Sequence, residues 1–432
     1  MYLLSNRFFC IVFDIRFVRS HIDLIYLYQN GVKMTTELLA PAGNLERLKY
    51  AVAYGADAVY FGIEQFSLRS YAGNFDMEDA QLGLDHLHRH GKKGYVTLNA
   101  YPFSDEFPAL IDAALKLDAM GVDAFIVADL GVLRELISQK VKAAMHISTQ
   151  ANTVNAQAVQ AYGELGAKRV NLARELSLEQ IEDIQNIMKG SGMETEVFVH
   201  GSVCFSYSGR CAISDYLTGR RANRGECTHP CRWNYSLVEE KRAGEYIPVM
   251  EDDRGLYLFN CKDLALFSYL PNLVSAGVTS FKIEGRMKNS HYLASVLPVY
   301  RAILDGQSMT SEDAWMRVSR VDNRGFSYGF MKGDITSADY ELDDCKYIST
   351  SVWVASSTDE TMNGQRICRV KNTIRAGESL EMLTPDGRIT NYTLPPVIET
   401  VDGRMVDHAN NQDVILLNGG IPAYSIFRRV KE

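Results

Sequence analysis

The segment "YGADAVYFG" at residues 54–62 recurs, with variation, as "MGVDAFIVA" (120–128), "LGAKRVNLA" (165–173) and "AGVTSFKIE" (276–284). Each copy follows a stretch with helical apolar spacing. Its glycine (Gly55, Gly121, Gly166, Gly277) suits the left-handed position just past a helix end. A short apolar or alternating run comes next, as a strand requires. The repeat is therefore a helix-to-strand joint. Between its copies, "ELLAP" (37–41), "YVTLN" (95–99), "AMHIS" (144–148) and "EVFVH" (196–200) read as further strands. Helical patterns over 108–119 and 177–189 separate some of them, the latter opening on a capping box of Ser177 and Gln180. A helix is expected to begin near Lys262, and the last one to run near 288–304.

Strict alternation implies a parallel sheet, and eight units can close it. The expected fold is α/β, a TIM-like (β/α)8 barrel over 34–305, with a doubly wound open sheet as the alternative. An insertion at 201–260, after the seventh strand, carries four of the eight cysteines, followed by hairpin-like runs. In barrels, ligands sit on the loops at the carboxyl ends of the strands, so this insertion stands where chemistry belongs. Residues 306–340 read as a connecting helix and linker. Residues 341–432 alternate and carry turn signals ("TPDGR", "VDGR", "NGG"), which predicts a small all-β domain, a barrel or sandwich.

Composition narrows the class. The chain has 432 residues, 46% of them apolar and 23% charged, as in a soluble globular protein. A net charge of −8 argues against non-specific coating of nucleic acid and leaves room for a local basic patch. Eight cysteines are too few for a disulfide scaffold, so a reducing cytoplasm is expected. The apolar N-terminal stretch is interrupted by Arg7, Asp14, Arg16, Arg19 and Asp23, and no run reaches the ~20 residues of a membrane span. Met34 precedes the first well-patterned strand. Translation is expected to begin there, leaving 1–33 as an extension outside the fold; an amphipathic surface segment is the alternative.

Cys204, Cys211, Cys227 and Cys231 are spaced C-x6-C-x15-C-x3-C. Four thiolates in one loop suit zinc or an iron–sulfur cluster. Structural zinc prefers two close pairs, and only the second pair is close, which favours a 4Fe–4S cluster. Arg210, Arg220, Arg221, Arg224 and Arg232 crowd the same segment. They could neutralise an anionic cluster or grip phosphates. Cys261 is the candidate spare ligand. His86 and His90 share a helix face but lack a carboxylate or cysteine to complete a metal site, and read as a solvated helix end.

The segments "EVFVHGSVCFSYSGRCAIS" (196–214), "CTHPCRW" (227–233), "ELLAPAGN" (37–44), "GADAVYFG" (55–62) and "FKIEGRMK" (281–288) closely resemble the collagenase-like peptidase family U-32. Within it, the pattern is similar to the branch of bacterial tRNA hydroxylation proteins. A related branch, active in ubiquinone hydroxylation, takes its fourth ligand from further along the chain. The close "CTHPC" pair fits the tRNA branch.

The resemblance implies 5-hydroxyuridine formation at the tRNA wobble position. It implies an iron–sulfur cluster on Cys204, Cys211, Cys227 and Cys231, and a link to prephenate. tRNA and an electron-donor protein are the expected partners, with no membrane. Strand-end polar residues would line the pocket: Asn99, Gln150, Arg174, Glu175, His200, Lys282, Glu284 and Arg286. His200 and Glu284 are the candidates for proton transfer. Lys282, Arg286, Asn99, Gln150 and Arg210 are the candidates for holding prephenate, a phosphate or the cluster's surroundings. Two other readings stay open: a U-32 peptidase, although no H-E-x-x-H or G-x-S-x-G is present, and a zinc-stabilised RNA-binding module.

Overall fold

The computed structural model of the chain describes residues 36–64, 66, 74–204, 206–208, 210–224, 226–232, 261–335 and 347–431, with short backbone segments between 237 and 257. The extension 1–33 and the expected start at Met34 lie outside the described residues.

Eight parallel strands close into a barrel: β1 (Glu37–Pro41), β2 (Ala58–Gly62), β3 (Lys93–Leu98), β4 (Ala124–Val127), β5 (Ala144–Ile147), β6 (Arg169–Asn171), β7 (Glu194–Gly201) and β8 (Ser280–Ile283). Strand β8 pairs with both β7 and β1, with Phe281 opposite Val197 and Leu38. The four repeat glycines all hold positive φ, between 90° and 104°. The sequence repeat is thus a repeated backbone turn, which residues with a Cβ adopt only with strain.

The helices that follow the barrel strands are α1 (Leu45–Ala53), α2 (Met77–Arg89), α3 (Phe107–Ala119), α4 (Leu130–Ser138), α5 (Ala156–Glu164), α6 (Leu178–Ile187), α7 (Leu270–Ala276) and α8 (Ser290–Leu304). Most begin at a side-chain cap. Asn44, Asp76, Asp129, Asn155 and Asn289 each accept from a backbone N–H two or three residues into the helix, and Ser177 with Gln180 forms the full capping box. Alternation along the strands divides the apolar residues. Val59, Phe61, Val96, Leu98, Phe125 and Val127 face the helices, while Leu39, Tyr60, Tyr95, Ala124 and Ile126 form a separate cluster inside the barrel.

The rest of the barrel interior is charged. Arg169 Nη1 meets Glu37 Oε1 at 2.5 Å and Glu196 Oε2 at 3.5 Å, and its Nη2 meets Glu194 Oε2 at 2.6 Å. Lys282 Nζ donates to Glu196 Oε1 at 2.7 Å, and Tyr95 Oη donates to Glu37 Oε2 at 2.6 Å. Burial opposes charge on Arg169, but Glu37 and Glu196 raise its pKa overall. Burial likewise opposes the Glu196 carboxylate, and Lys282 and Arg169 outweigh it, holding the group below the usual range. The network joins β1, β3, β6, β7 and β8.

Two departures from the sequence reading concern β7 and the segment after the insertion. The register against β8 slips after Phe198–Lys282, so His200 stands opposite Ile283. This extra residue turns His200 outward to the helix layer. Further on, Lys262 does not start a helix. Asp263–Ala265 forms a short strand, antiparallel to the end of β7 and parallel to Phe326–Ser327. Asp263 is held there by buried Arg324, Oδ1 to Nη2 at 2.6 Å, and α7 begins only at Leu270 with Pro271 in its first turn.

From Ser351 an eight-stranded antiparallel sheet carries its own core, including Val354, Leu380, Ile398, Ile415 and Phe427. It is fixed to the barrel. Tyr54 Oη, just past the end of α1, lies within hydrogen-bond distance of the carbonyls of Leu383 (3.1 Å) and Tyr424 (3.0 Å), and buried Arg428 reaches Ser295 Oγ on α8 at 3.3 Å. His86, read as part of a solvated helix end, is buried on α2 and shares a cavity with Asp359 and Tyr424 of this sheet. Burial, with His90 beside it, lowers its pKa to about 4. Among the described residues no helix is long and apolar enough to cross a membrane.

Replacing Arg169 by Met leaves the buried Glu37 carboxylate without its cation while Glu196 keeps Lys282, and removing one partner of a buried ion pair costs about 3–5 kcal/mol. Urea unfolding of Arg169→Met is expected to show a loss of that order, whereas Lys116→Met, in an exposed pair on α3, leaves the midpoint essentially unchanged.

Candidate functional site

Above the charged network, at the carboxyl ends of the strands, opens a cavity of about 350 Å3. Tyr60, Phe198 and Lys282 rise from the strands, and the following loops bring Asn99, Gln150, Arg174, Glu284 and Arg286. Cys204, Cys211, Cys227 and Cys231 line the same cavity. Of the residues singled out from sequence, the barrel therefore brings Glu284, Lys282, Arg286, Asn99, Gln150 and the four cysteines to one place. Arg210 stands outside it, exposed, its guanidinium 6.0 Å from the Tyr101 ring. It lines a neighbouring cavity of about 450 Å3 together with Cys204, Glu175 and Cys261, and Arg174 borders both.

Lys282 is buried, bonded to Glu196, and lies 4.5 Å from the centre of the Tyr60 ring. Arg286 Nη1 donates to Thr97 Oγ1 at 3.1 Å. Glu284 Oε2 accepts from Tyr60 Oη at 3.3 Å and lies 3.9 Å from Arg174 Nη2, whose guanidinium stacks 3.9 Å from the Phe198 ring centre. Asn171, which sequence reasoning missed, donates Nδ2 to Glu196 Oε1 at 2.8 Å. That bond to an ionised carboxylate fixes the amide's orientation. Asn171 Oδ1, Gln150 Nε2 and Arg174 Nε are buried without a partner among the described residues. Three unsatisfied polar atoms in one wall mark a site completed by a polar ligand or ordered water. The inward alternation of β6 was the signal that could have found Asn171.

His200 is placed elsewhere. Its ring packs against Tyr292, Tyr300 and Phe326, away from the cavity. Tyr300 Oη donates to the Val199 carbonyl (2.9 Å), so its oxygen accepts from His200 Nδ1 (3.0 Å), assigning the neutral Nδ1–H tautomer. Burial lowers its pKa to about 3, with Asp263 acting in the opposite direction. His200 is a structural donor to Tyr300, and its expected role in proton transfer is corrected accordingly.

The cysteine insertion is clamped to the barrel rim. Arg224 forms a two-pronged pair with Glu106, Nη1–Oε2 at 2.9 Å and Nη2–Oε1 at 2.5 Å, and stacks 4.5 Å from Phe103. The Arg224 bonds, with the Phe103 N–H, hold the Glu106 pKa down to about 2. Two of the arginines read as neutralising a cluster or gripping phosphates, Arg221 and Arg224, thus pack on the loop after β3; Arg220 lines the cavity. Between the last two cysteines His229 holds φ +56°, and its N–H lies 3.4 Å from Cys227 Sγ. The donor set suits a soft metal or a cluster: four thiols on one cavity, with a backbone N–H on one sulfur. Among the described residues no three His, Cys, Asp or Glu side chains are gathered closely enough to hold a metal ion.

Residues 43–339 match peptidase family U32. The chain belongs to that family. The tRNA hydroxylation protein P of Escherichia coli is 36% identical over 402 residues, spanning 83% of this chain and 88% of that protein. The 23S rRNA 5-hydroxycytidine synthase of the same organism is 37% identical over 269 residues, 62% of this chain and 39% of that protein. A collagenase of Porphyromonas gingivalis is 32% identical over 315 residues, 69% and 73% of the two chains. The match to family U32 covers the barrel from α1 onward and its cysteine insertion, and ends before the antiparallel sheet that begins at Ser351.

The buried imidazole yields a pH prediction. A histidine whose pKa is lowered by folding leaves stability intact above its unfolded value of about 6.5 and reduces it as pH falls toward the folded value. Stability is expected to decline from about pH 6.5 downward, less steeply in His200→Gln. By NMR, the His200 ring is expected to stay neutral from pH 8 to 5; titration within that range would contradict the assignment.

Proposed function

We propose that this chain is an RNA-modifying hydroxylase that acts on tRNA and forms 5-hydroxyuridine at the wobble position. What supports the reading is the joint position of the four cysteines and the strand-end polar residues on one barrel-mouth cavity. The hydroxylation named in two relatives supports it independently. A nucleobase reaches such a cavity only when unstacked and turned out of its strand. The volume lies in the range of small-molecule sites.

Cys204, Cys211, Cys227 and Cys231 would hold a 4Fe–4S cluster, with prephenate the linked metabolite and an electron-donor protein a further partner. When bound, the cluster supplies electron-transfer chemistry that the common side chains lack. The chain's own residues bind and orient. Arg286 and Arg174 offer guanidinium forks to carboxylate or phosphate oxygens. Lys282, already bonded to Glu196, contributes mainly fixed positive charge. Glu284, between Tyr60 and Arg174, is the carboxylate best placed to take or return a proton.

The collagenase relative supports a second reading, a peptidase. One set of measurements separates the two. Deleting the gene, in a strain without a paralogue, is expected to remove 5-hydroxyuridine from bulk tRNA by mass spectrometry. The unaltered gene restores it, and Cys227→Ala leaves it at the deletion level. Protein purified without oxygen is expected to carry about four iron atoms per chain. Unchanged 5-hydroxyuridine after deletion overturns the hydroxylase. Gelatin cleavage that survives Cys227→Ala and Cys231→Ala establishes the peptidase.

A further inference from the structure

We infer that the groove between the barrel mouth and the C-terminal sheet is the track for a single-stranded stretch of RNA flanking the base that enters the cavity. This rests on the proposed function and deepens it. The groove, about 570 Å3, is continuous with the mouth: Ser202, His229, Glu284 and Met287 line both. From there it runs between the turn after β8 and the C-terminal sheet, reaching Trp353 and Lys431.

Along and beside it, lysines sit against aromatic rings. Lys288 Nζ lies 5.5 Å from the Tyr292 ring centre and 5.3 Å from that of Tyr347, and Lys371 Nζ lies 5.1 Å from that of Trp353. Tyr292, Tyr347 and Trp353 all line the groove. Lys288 donates to the carbonyl of Asp322 at 2.9 Å, and among the described residues no carboxylate neutralises its charge. The acids among the described residues of the groove are Asp322 and Glu284. Lys288 and Lys431 line the channel that opens into the cavity, and Lys371 flanks it at the Trp353 ring. Positive charge tracking a backbone beside aromatic rings is how proteins hold unpaired strands, with phosphates on lysine and bases on rings. Duplex would present its bases already stacked. The occupant that fits is an anticodon-loop strand.

The test is tRNA binding by the full-length protein, purified without oxygen, measured by fluorescence anisotropy from 50 to 300 mM salt. Each lost single-strand phosphate contact lowers the slope of log K against log salt by about 0.7. Lys288→Gln and Lys431→Gln are each expected to lower it by that amount, while Lys116→Gln on α3 does not. Trp353→Ala is expected to weaken binding about tenfold with the slope retained, and Trp353→Phe to restore most of the loss. If the unaltered protein binds tRNA and makes 5-hydroxyuridine while the two lysine variants keep the full slope, this inference falls and the hydroxylase stands. If the unaltered protein binds no tRNA, both fall. Competition by gelatin peptides and not by tRNA would give the groove to a peptide.

Discussion

A guanidinium enclosed by carboxylates inside the barrel is the interaction on which the rest of the structure depends. Arg169 stands on β6, Glu37 on β1, Glu194 and Glu196 on β7, and Lys282 reaches Glu196 from β8. These are the strands whose pairing closes the cylinder. An apolar filling of equal volume would close it with less desolvation cost, because buried ion pairs recover little net free energy. What the charges add is directional: each side chain is bonded to a named partner, so β6, β7, β8 and β1 have one mutual register. The same bonds hold the floor of the cavity above. Glu196 anchors Lys282 with one oxygen and accepts from Asn171 on that oxygen too, which sets the direction of an amide in the cavity wall.

The interior is layered as a consequence. Glu37, Tyr95 and Arg169 lie toward the amino ends of their strands, the Leu39–Tyr60–Ile126 cluster lies among them, and Gln150 Nε2, Asn171 Oδ1 and Arg174 Nε stand toward the carboxyl end without partners among the described residues. Ions satisfied below and polar groups unsatisfied above is the division expected of a barrel that uses one end for stability and the other for ligands.

Much of this was legible in the residues, through periodicity. Four glycine-marked joints located half the strands, and alternation supplied the rest, because turns and inside–outside patterning are local. The cysteines were legible for a similar reason, since spacing in a loop is a sequence property. The failures share a different cause. His200 reads as an inward strand-end residue by simple alternation, and one bulge residue on β7 reverses it. The Asp263–Ala265 strand is held by Arg324, sixty-one positions away. Arg224 looked like a ligand for anions, and its anion turned out to be Glu106 of the loop after β3. Each of these depends on a partner distant in sequence, which no local pattern encodes.

A long insertion can position four thiols because of its neck. The chain leaves the barrel at Gly201 and returns at Leu264, and these two residues are paired across antiparallel strands. Gly201 holds φ +105°, and a Cβ there would lie 2.5 Å from the Glu284 carbonyl oxygen, so only glycine permits the exit. Closure entropy grows slowly with loop length, about 0.6 kcal/mol per doubling. An insertion tied at its base can therefore be long at small cost. A tied base alone would still leave the cysteines a wide range of positions. The Arg224–Glu106 pair, with its ring contact to Phe103, fixes the insertion a second time on the far side of the mouth. Two attachments, one at β7 and one at the loop after β3, span the opening. The segments bearing Cys204, Cys211, Cys227 and Cys231 lie between the Gly201 exit and the Leu264 return, and all four side chains border the cavity. The geometry that matters for the thiols is thus set by a glycine and an ion pair that carry no chemistry of their own.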